Sequence, residues 1–262
     1  MKLTPKSREV EGYFGWADLK IGILIGIRNL TKPTSILRLG IIWVVLDPLM
    51  LSAIYSFLFS ITGRAAEAAS IVIGVMTLRS FNNSFKTGYS MNLSVEPFPL
   101  KHTSTKIFLL SKISTEVLQS MLIGITGSVL LILIFGSPYV LSPYMTFLCA
   151  ALSLIGVGIG MILSPYVSRF GDLGKLFSYV LFLSFFLQPC LYDYSITSGI
   201  HREVLSYIPF TFAVEFLRTV AFGNPYPFEI GHVTKIMTLW IITAIIGFKG
   251  ADKERWRSTA WS

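Results

Sequence analysis

The feature that most constrains the fold of this chain is an apolar run over residues 39–61. A helix needs about 20 such residues to cross the hydrocarbon core of a bilayer. A buried helix of a soluble domain is the alternative, but the run is too long and too apolar for that class of protein. Asp47 and Pro48 lie inside the run, although proline removes a backbone donor and kinks a helix. The run predicts the first span of a polytopic membrane protein.

The composition agrees with a membrane domain. The 262 residues are 53% hydrophobic and 14% charged, whereas a soluble domain carries about 25% charged residues. The net charge of +8 is assigned to cytoplasmic flanks that meet anionic lipid, and no nucleic-acid partner is predicted. Cys149 and Cys190 lie in apolar runs and are predicted to be free, buried thiols. No spacing of metal ligands is found, so no metal site is predicted.

The N-terminal residues 1–34 are interpreted as a cytoplasmic arm. Within it, residues 13–30 predict an amphipathic helix that lies in the membrane interface, and a helix packed on a soluble surface is the alternative. Its apolar face comprises Trp16, Leu19, Ile23, Ile27 and Leu30, opposite Asp18, Lys20, Arg28 and Asn29.

Residues 35–262 are interpreted as one membrane domain, which makes the protein all-α with six transmembrane helices. The predicted spans are 39–61, 70–92, 108–135, 144–168, 174–191 and 232–248. Lys and Arg are concentrated in alternate connecting segments, which predicts that both termini are cytoplasmic and that the protein is in the cytoplasmic membrane. Between spans five and six, residues 196–207 and 210–222 are too short and too interrupted to span, and predict re-entrant outer helices.

The second predicted span is unusually polar in its second half. Arg79 lies near its middle, where a cation is costly unless it faces protein or water. Asn82, Asn83, Ser84 and Thr87 follow, and together with Arg79 they predict a wet cavity. The alternative is that Arg79 lies near the outer interface and extends its charged end into water.

Two glycine patterns resemble nucleotide-binding loops without their context. Gly156-x-Gly158-x-Gly160 lies in an apolar run with no strand before it, and predicts a helix-packing face. The segment from Gly171 to Lys175 has the wrong glycine spacing for a phosphate loop. No nucleotide-binding part is therefore predicted on this chain.

The first span also carries a family resemblance. Arg38, Gly40, Trp43, Asp47 and Pro48 form the pattern R-L-G-x-x-W-x-x-L-D-P. This pattern resembles the signature that opens the first span of permease subunits in the ABC-2 transporter family, in the branch that exports capsule, O-antigen and teichoic-acid polymers.

A second stretch extends the resemblance to the segment before span six. Pro209, Glu215 and Arg218 are similar to the N-P-x-x-x-x-x-E-x-x-R stretch of the family's outer gate helix, although Ile208 stands where Asn is usual.

The resemblance implies a half-transporter without catalytic residues. Two copies would form the pathway for a polysaccharide or lipid-linked glycan, and two copies of a separate ATPase would bind ATP and Mg beneath them. The residues expected to meet the ATPase are Trp16 and Lys20 in the arm and Glu96, Pro97, Pro99 and Lys101 in the loop after span two.

Aromatic and polar side chains are the candidates for the pathway, because aromatic faces stack on sugar rings. They are Tyr55, Phe59, Phe81, Phe85, Tyr89 and Tyr166, with Arg79 and Asn82. Packing or lipid contact is the alternative for each of them.

Three other functions stay open from the sequence. The first is an ABC-2 permease for a drug, lipid or peptide. The second is a membrane enzyme of lipid-linked sugar chemistry, for which no converging His, Asp or Glu cluster is found. The third is a secondary transporter, whose inverted repeats are not found.

Overall fold

The computed structural model describes residues 16–31, 40–61, 68–91 and 105–258. Over these residues the regular structure is helical and contains no strand, which confirms the prediction of an all-α protein. The helices are α1 (Trp16–Thr31), α2 (Gly40–Ile61), α3 (Ala68–Ser90), α4 (Thr105–Phe135), α5 (Leu141–Arg169), α6 (Gly171–Leu187), α7 (Gly199–Leu205), α8 (Pro209–Phe222) and α9 (Ile230–Ser258).

Three helices in the described part of the chain are long and apolar enough to cross a membrane. They are Ile107–Phe135, Leu141–Arg169 and Ile230–Gly250. The short helices α7 and α8 meet at 88° and together make a fourth candidate, as a broken span or a re-entrant loop. The chain therefore has the architecture of a helical membrane protein, and six spans stay a prediction.

The core is built around the first half of α3. Residues 68–78 are buried without interruption. Helices α2, α4, α5, α6 and α8 pack against α3, and α5 makes the most extensive contact. The buried side chains are mostly apolar and include Ile71, Val75 and Met76. The second half of α3 is polar and only partly covered, so the two halves of one helix lie in different environments.

The glycines of α5 bring two helices into close contact with it. A Cβ on Gly160 would lie 2.4 Å from the carbonyl oxygen of Phe85 in α3. A Cβ on Gly158 would lie 2.6 Å from the Cβ of Ala244 in α9. Gly156 also faces α3. The three glycines therefore allow α3 and α9 to pack closely on opposite sides of α5. The prediction of a helix-packing face is confirmed.

Helix α1 lies very close to α4 at two glycines. A Cβ on Gly22 would lie 2.6 Å from Leu110 Cβ, and one on Gly26 would lie 2.8 Å from Ser114 Cβ. Trp16, at 88% exposure, and Ile23 and Ile27 are left exposed in the single chain. The Gly22-x-x-x-Gly26 spacing is the sequence signal for this contact. A position of α1 in the membrane interface stays a prediction.

We expect Gly160→Ala to destabilise the protein by about 1–3 kcal/mol, because the added methyl group would overlap the α3 backbone. Gly250→Ala is the matched control, since a Cβ there would meet no heavy atom within 4 Å. The measurement is thermal unfolding of both variants in the same detergent. Equal melting temperatures for the two variants would contradict the close packing of α3 on α5.

Candidate functional site

The second half of α3 brings together most of the residues predicted to line a pathway. Besides α5, three helices contact it: α2 at Arg79, α4 at Ser84 and Thr87, and α6 at Asn82. Polar side chains of α3, whose burial in an apolar environment would cost free energy, find a partner in each of these three contacts.

Toward α2, Arg79 forms an ion pair with Asp47. The contact joins the Arg79 Nη2 and Asp47 Oδ2 atoms, and the two side chains are 33% and 53% exposed. The Nε of Arg79 is buried without a hydrogen-bond partner. The carboxylate of Asp47 and the guanidinium of Arg79, which are both unusual in apolar helices, therefore neutralise each other. This pairing was not predicted from the sequence.

Toward α4, two hydroxyl groups of α3 donate hydrogen bonds to the buried carboxyl of Glu116. Thr87 Oγ1 donates to Glu116 Oε1 over 2.7 Å, and Ser84 Oγ donates to Oε2 over 3.3 Å. Ser84 and Thr87 were predicted to line a wet cavity with Arg79, but they belong to the α3–α4 contact. Glu116 was not singled out from the sequence, although an acid inside an apolar span was the available signal.

Toward α6, an amide and a line of aromatic rings make the contact. Asn82 Nδ2 donates to the carbonyl oxygen of Leu181 over 3.4 Å. Phe81 stacks on Phe85 with ring centroids 6.1 Å apart, and Phe85 meets the ring of Tyr89 at 5.5 Å. Three of the predicted pathway aromatic residues are thus adjacent along α3.

Phe177 of α6 closes this line of rings. It contacts both Phe85 and Tyr89, with centroids 6.4 and 5.6 Å apart. Tyr89 is buried, and its hydroxyl lies 3.2 Å from Ser178 Oγ. In the single chain Tyr89 therefore packs between helices, whereas Phe81 and Phe85 keep part of their surface open.

The other pathway candidates do not join this group. Tyr55 packs on Phe185 of α6, with ring centroids 4.7 Å apart. Tyr166 is 58% exposed near the end of α5. Phe59 lies in α2, and its side chain is outside the described part of the structure.

One side of the second half of α3 is open and polar. The residues on this side are Arg79, Asn83, Lys86 and Ser90. Their spacings of four, three and four residues place them along one line of the helix. Lys86 and Ser90 are exposed, and Arg79 and Asn83 are half-buried. We refer to these four residues as the α3 polar stripe.

A second charged cluster holds α8 against the segment that precedes α7. Arg218 Nη1 donates to Glu215 Oε1 over 2.6 Å and to the carbonyl oxygen of Tyr192 over 3.0 Å. It also lies 3.4 Å from Asp193 Oδ1. Glu215 and Arg218 are both buried, so the structure brings the two predicted gate residues together. Asp193 was not singled out.

The cluster extends to α3 and to the backbone around it. The backbone N–H of Tyr194 donates to Glu215 Oε1 over 3.3 Å, and Ser70 Oγ donates to Asp193 Oδ1 over 3.5 Å. Pro209 is at the first turn of α8, where its missing N–H costs no helical hydrogen bond. The α8 helix and the preceding segment are therefore fixed to the buried half of α3.

Two tyrosines beside this cluster are held in the neutral form. Burial raises the pKa of Tyr192 to about 12 and that of Tyr226 to about 12. The Tyr192 hydroxyl donates to the carbonyl oxygen of Leu187 and lies 3.1 Å from His201 Nε2. These phenols act as hydrogen-bond donors at physiological pH and do not supply negative charge.

Several predicted site residues belong neither to the contacts of α3 nor to the Arg218 cluster. Arg38, Glu96, Pro97, Pro99 and Lys101 fall outside the described residues. Trp16 and Lys20 are exposed on α1, and Trp43 is exposed on α2. Gly40 and Pro48 are within α2, which stays helical through the proline.

The prediction for the cysteines is confirmed, because Cys149 and Cys190 are free and buried. In the described part of the chain, no group of three or more His, Cys, Asp or Glu side chains is arranged to hold a metal ion.

Comparison with known proteins gives no family assignment. The sequence matches no protein-family model, and no curated protein resembles it at a significant level.

We expect Asp47→Asn and Arg79→Gln each to destabilise the protein, because each leaves a half-buried charge without its partner. The double variant should recover about 0.5–3 kcal/mol of the summed loss, the range of coupling between residues in contact. The measurement is a double-mutant cycle on thermal unfolding in detergent. Strictly additive losses would show that the ion pair does not contribute to stability.

We expect Glu116→Leu to destabilise the protein by about 1–3 kcal/mol, because it leaves the Ser84 and Thr87 hydroxyls without their acceptor. Glu116→Gln is the matched control, since its amide oxygen still accepts a hydrogen bond. The measurement is again thermal unfolding. If the glutamine variant were as unstable as the leucine variant, the hydrogen bonds from Ser84 and Thr87 to residue 116 would not contribute to stability.

Proposed function

We propose that this chain is the membrane permease subunit of an ATP-driven exporter for a cell-surface polysaccharide of the capsule, O-antigen or teichoic-acid type. The observation that carries the proposal is the ion pair of Asp47 with Arg79. It links the acid of the first-span pattern to the polar half of α3, inside a helical membrane protein.

In this proposal the polar half of α3 borders the pathway. Phe81 and Phe85 present partly open rings next to polar side chains. Aromatic faces bind sugar rings through many weak contacts, which suits a polymer that has to slide. Asn82 lies beside these rings on the side of α3 that faces α6, whereas Arg79 lies on the side that faces α2, so hydrogen-bonding groups flank the aromatic surface.

We assign α2, α3 and α6 as the spans that complete a set of six with α4, α5 and α9. The 17 residues of α6 extend about 26 Å, close to the thickness of a bilayer core. Phe182, Leu183 and Phe186 of α6 are exposed in the single chain, which suits contact with lipid or a second copy. The distribution of Lys and Arg supports cytoplasmic termini in the cytoplasmic membrane.

On this orientation, α7 and α8 form a re-entrant cover on the outer side. The bend of 88° between them and the burial of α8 support that assignment. The cluster of Glu215, Arg218 and Asp193 would act as the outer gate, because it ties the cover to α3.

We propose that two copies of the chain form the pathway and that two copies of a separate ATPase bind ATP and Mg beneath them. The ATPase would contact Trp16 and Lys20 on α1 and the segment 96–101. Helix α1 packs closely on α4 at Gly22 and Gly26. In turn, Glu116 of α4 accepts a hydrogen bond from Thr87 of α3. A displacement of α1 would therefore reach the polar half of α3 through rigid contacts.

The decisive experiment deletes the gene and measures surface glycans in cytoplasmic and surface fractions. Polymer that accumulates in the cytoplasm and is lost from the surface supports the proposal, provided that the plasmid-borne gene restores it. Normal surface glycan would favour export of a drug, lipid or peptide by the same architecture. Loss of polymer from both fractions would favour a role in synthesis.

We expect simultaneous replacement of Glu96, Pro97 and Pro99 by alanine to uncouple ATP hydrolysis from export. The physical reason is that two prolines stiffen a segment that is proposed to transmit movement of the ATPase. The measurement compares surface polymer with ATPase activity of the purified complex, and membrane content of the chain is the control. Unchanged export would remove the coupling role of the segment.

A further inference from the structure

The two helices of the bent pair, α7 and α8, are held in different ways. In α8 the side chains from Pro209 to Glu215 are all buried, and several of them belong to the main core beside α3. Of the seven residues of α7, all of which the structure describes, only Leu205 is buried. Ile200 and Val204 are exposed, and α7 makes no extensive contact with another described helix. Helix α8 is therefore part of the core, whereas apolar packing contributes little to the position of α7.

The turn between α7 and α8 is held by hydrogen bonds from α9. The last carbonyl groups of a helix have no partner within the helix and need one from elsewhere. His232 Nε2 lies 2.8 Å from the carbonyl oxygen of Ser206, and Trp240 Nε1 donates to that of Tyr207 over 2.8 Å. Because a carbonyl oxygen can only accept, the Nε2 atom of His232 carries the hydrogen. Two successive carbonyl groups after α7 are thus satisfied by one neighbouring helix.

The place of the turn along α9 makes these two bonds important. Helix α9 contains one of the segments long and apolar enough to cross a membrane. His232 and Trp240 are its third and eleventh residues, and a separation of eight residues is about 12 Å along the helix axis. The turn therefore lies beside the first half of this candidate span. At such a depth water cannot replace a donor that is lost, so a carbonyl group without its partner stays unsatisfied.

His232 and α9 connect the turn to the rigid part of the protein. The ring of His232 contacts the rings of Tyr207 and Phe212 on the two sides of the turn, with centroids 5.7 and 6.0 Å apart. Further along α9, Ala244 packs closely against Gly158 of α5. The turn is therefore fixed to the α3–α5 core through α9.

The other end of α7 has a backbone that permits a change of direction. Gly199 has a φ of +60°, and a Cβ there would meet no heavy atom within 4 Å. Glycine adopts this left-handed conformation without steric cost. Beyond it, His201 Nε2 donates to the carbonyl oxygen of Leu187 over 2.8 Å, and the guanidinium of Arg202 lies 5.0 Å from the ring centroid of Tyr194. These polar contacts can break without opening the core.

We propose that His232 and Trp240 are positioning residues for the outer cover. They hold the α7–α8 turn on α9, and α7 is the half of the cover that moves while α8 stays fixed. Loss of the two hydrogen bonds frees α7 to rotate about Gly199, whereas the Arg218 cluster keeps α8 on α3. The role of the cover as an outer gate rests on the proposed function, but the difference in mobility between the two helices does not.

Hydrogen–deuterium exchange of the full chain in detergent, with mass spectrometry of its peptides, tests this assignment. Amide exchange reports local opening, and it distinguishes a helix that opens alone from one that opens with the core. We expect the amides of α7 to exchange faster than those of α8 in the unaltered chain. Equal exchange of the two helices would overturn the assignment of α7 as the moving half.

The Trp240→Phe variant removes the N–H group and keeps an aromatic ring beside the turn. We expect the exchange of α7 to rise about two- to tenfold, the effect of losing one hydrogen bond, while the exchange of α8 stays unchanged. Thr243→Val is the matched control, because it removes a hydroxyl of α9 that bonds to Leu239 in the same helix. Equal effects of the two variants, or an equal rise in α7 and α8, would refute a positioning role for Trp240.

Two variants at His232 separate its hydrogen bond from its bulk. His232→Gln keeps an N–H donor at the end of the side chain, and we expect α7 to exchange as slowly as in the unaltered chain. His232→Leu removes the donor, and we expect the same rise as in Trp240→Phe. The elution position in size-exclusion chromatography checks that each variant is folded. Equal exchange of α7 in the glutamine and leucine variants would show that the hydrogen bond to Ser206 does not position the turn.

The exchange and export experiments fail independently, because the exchange experiment needs neither the ATPase nor a glycan. Normal surface glycans in the deletion strain, with faster exchange of α7 in the variants, would refute polysaccharide export and leave the positioning role in place. Cytoplasmic accumulation of polymer, with unchanged exchange in the variants, would refute the positioning role and leave the export function.

Discussion

The structure depends on the requirement that a charge in an apolar environment must have a partner. In the proposed topology α3 crosses the membrane, where a cation at the centre of a helix costs about 2.5–3.5 kcal/mol or more. Arg79 is the twelfth of the 23 residues of α3, and the acid that neutralises it belongs to another helix. The pairing therefore fixes which part of α2 lies beside α3. It also explains why an apolar helix tolerates the Asp47-Pro48 pair, since the acid has a specific partner.

The same requirement recurs at two other positions along α3. Near its start, Ser70 donates to Asp193, which lies beside Arg218. Near its end, Thr87 donates to Glu116 of α4. One helix thus satisfies polar groups from three different elements, while the glycines of α5 allow its backbone to approach closely. Polar contacts fix the position of each neighbour along α3, and packing against small residues holds the helices together.

The local parts of this architecture could be predicted from the sequence. Apolar runs bounded by Gly and Pro gave helix positions close to those of α2 to α6, and the glycines of α5 identified a packing face. The partners of Arg79, Glu116 and Arg218 could not be predicted, because they depend on which helices become neighbours. On α1, the apolar pattern predicted that Ile23 and Ile27 belong to the apolar face of the helix. The closest contact is made by Gly22 and Gly26, since small residues allow the backbones to meet.

The contrast between the two halves of α3 bears on how the proposed permease would work. The first half is buried and is linked through Asp193 and Arg218 to α8, which belongs to the proposed outer cover. The second half leaves Lys86 and Ser90 exposed, on a surface too polar for lipid contact. Water, cargo or a second copy of the chain has to cover that surface. On the proposed orientation, the cytoplasmic half is open and the outer half is sealed, as transport with one gate closed requires.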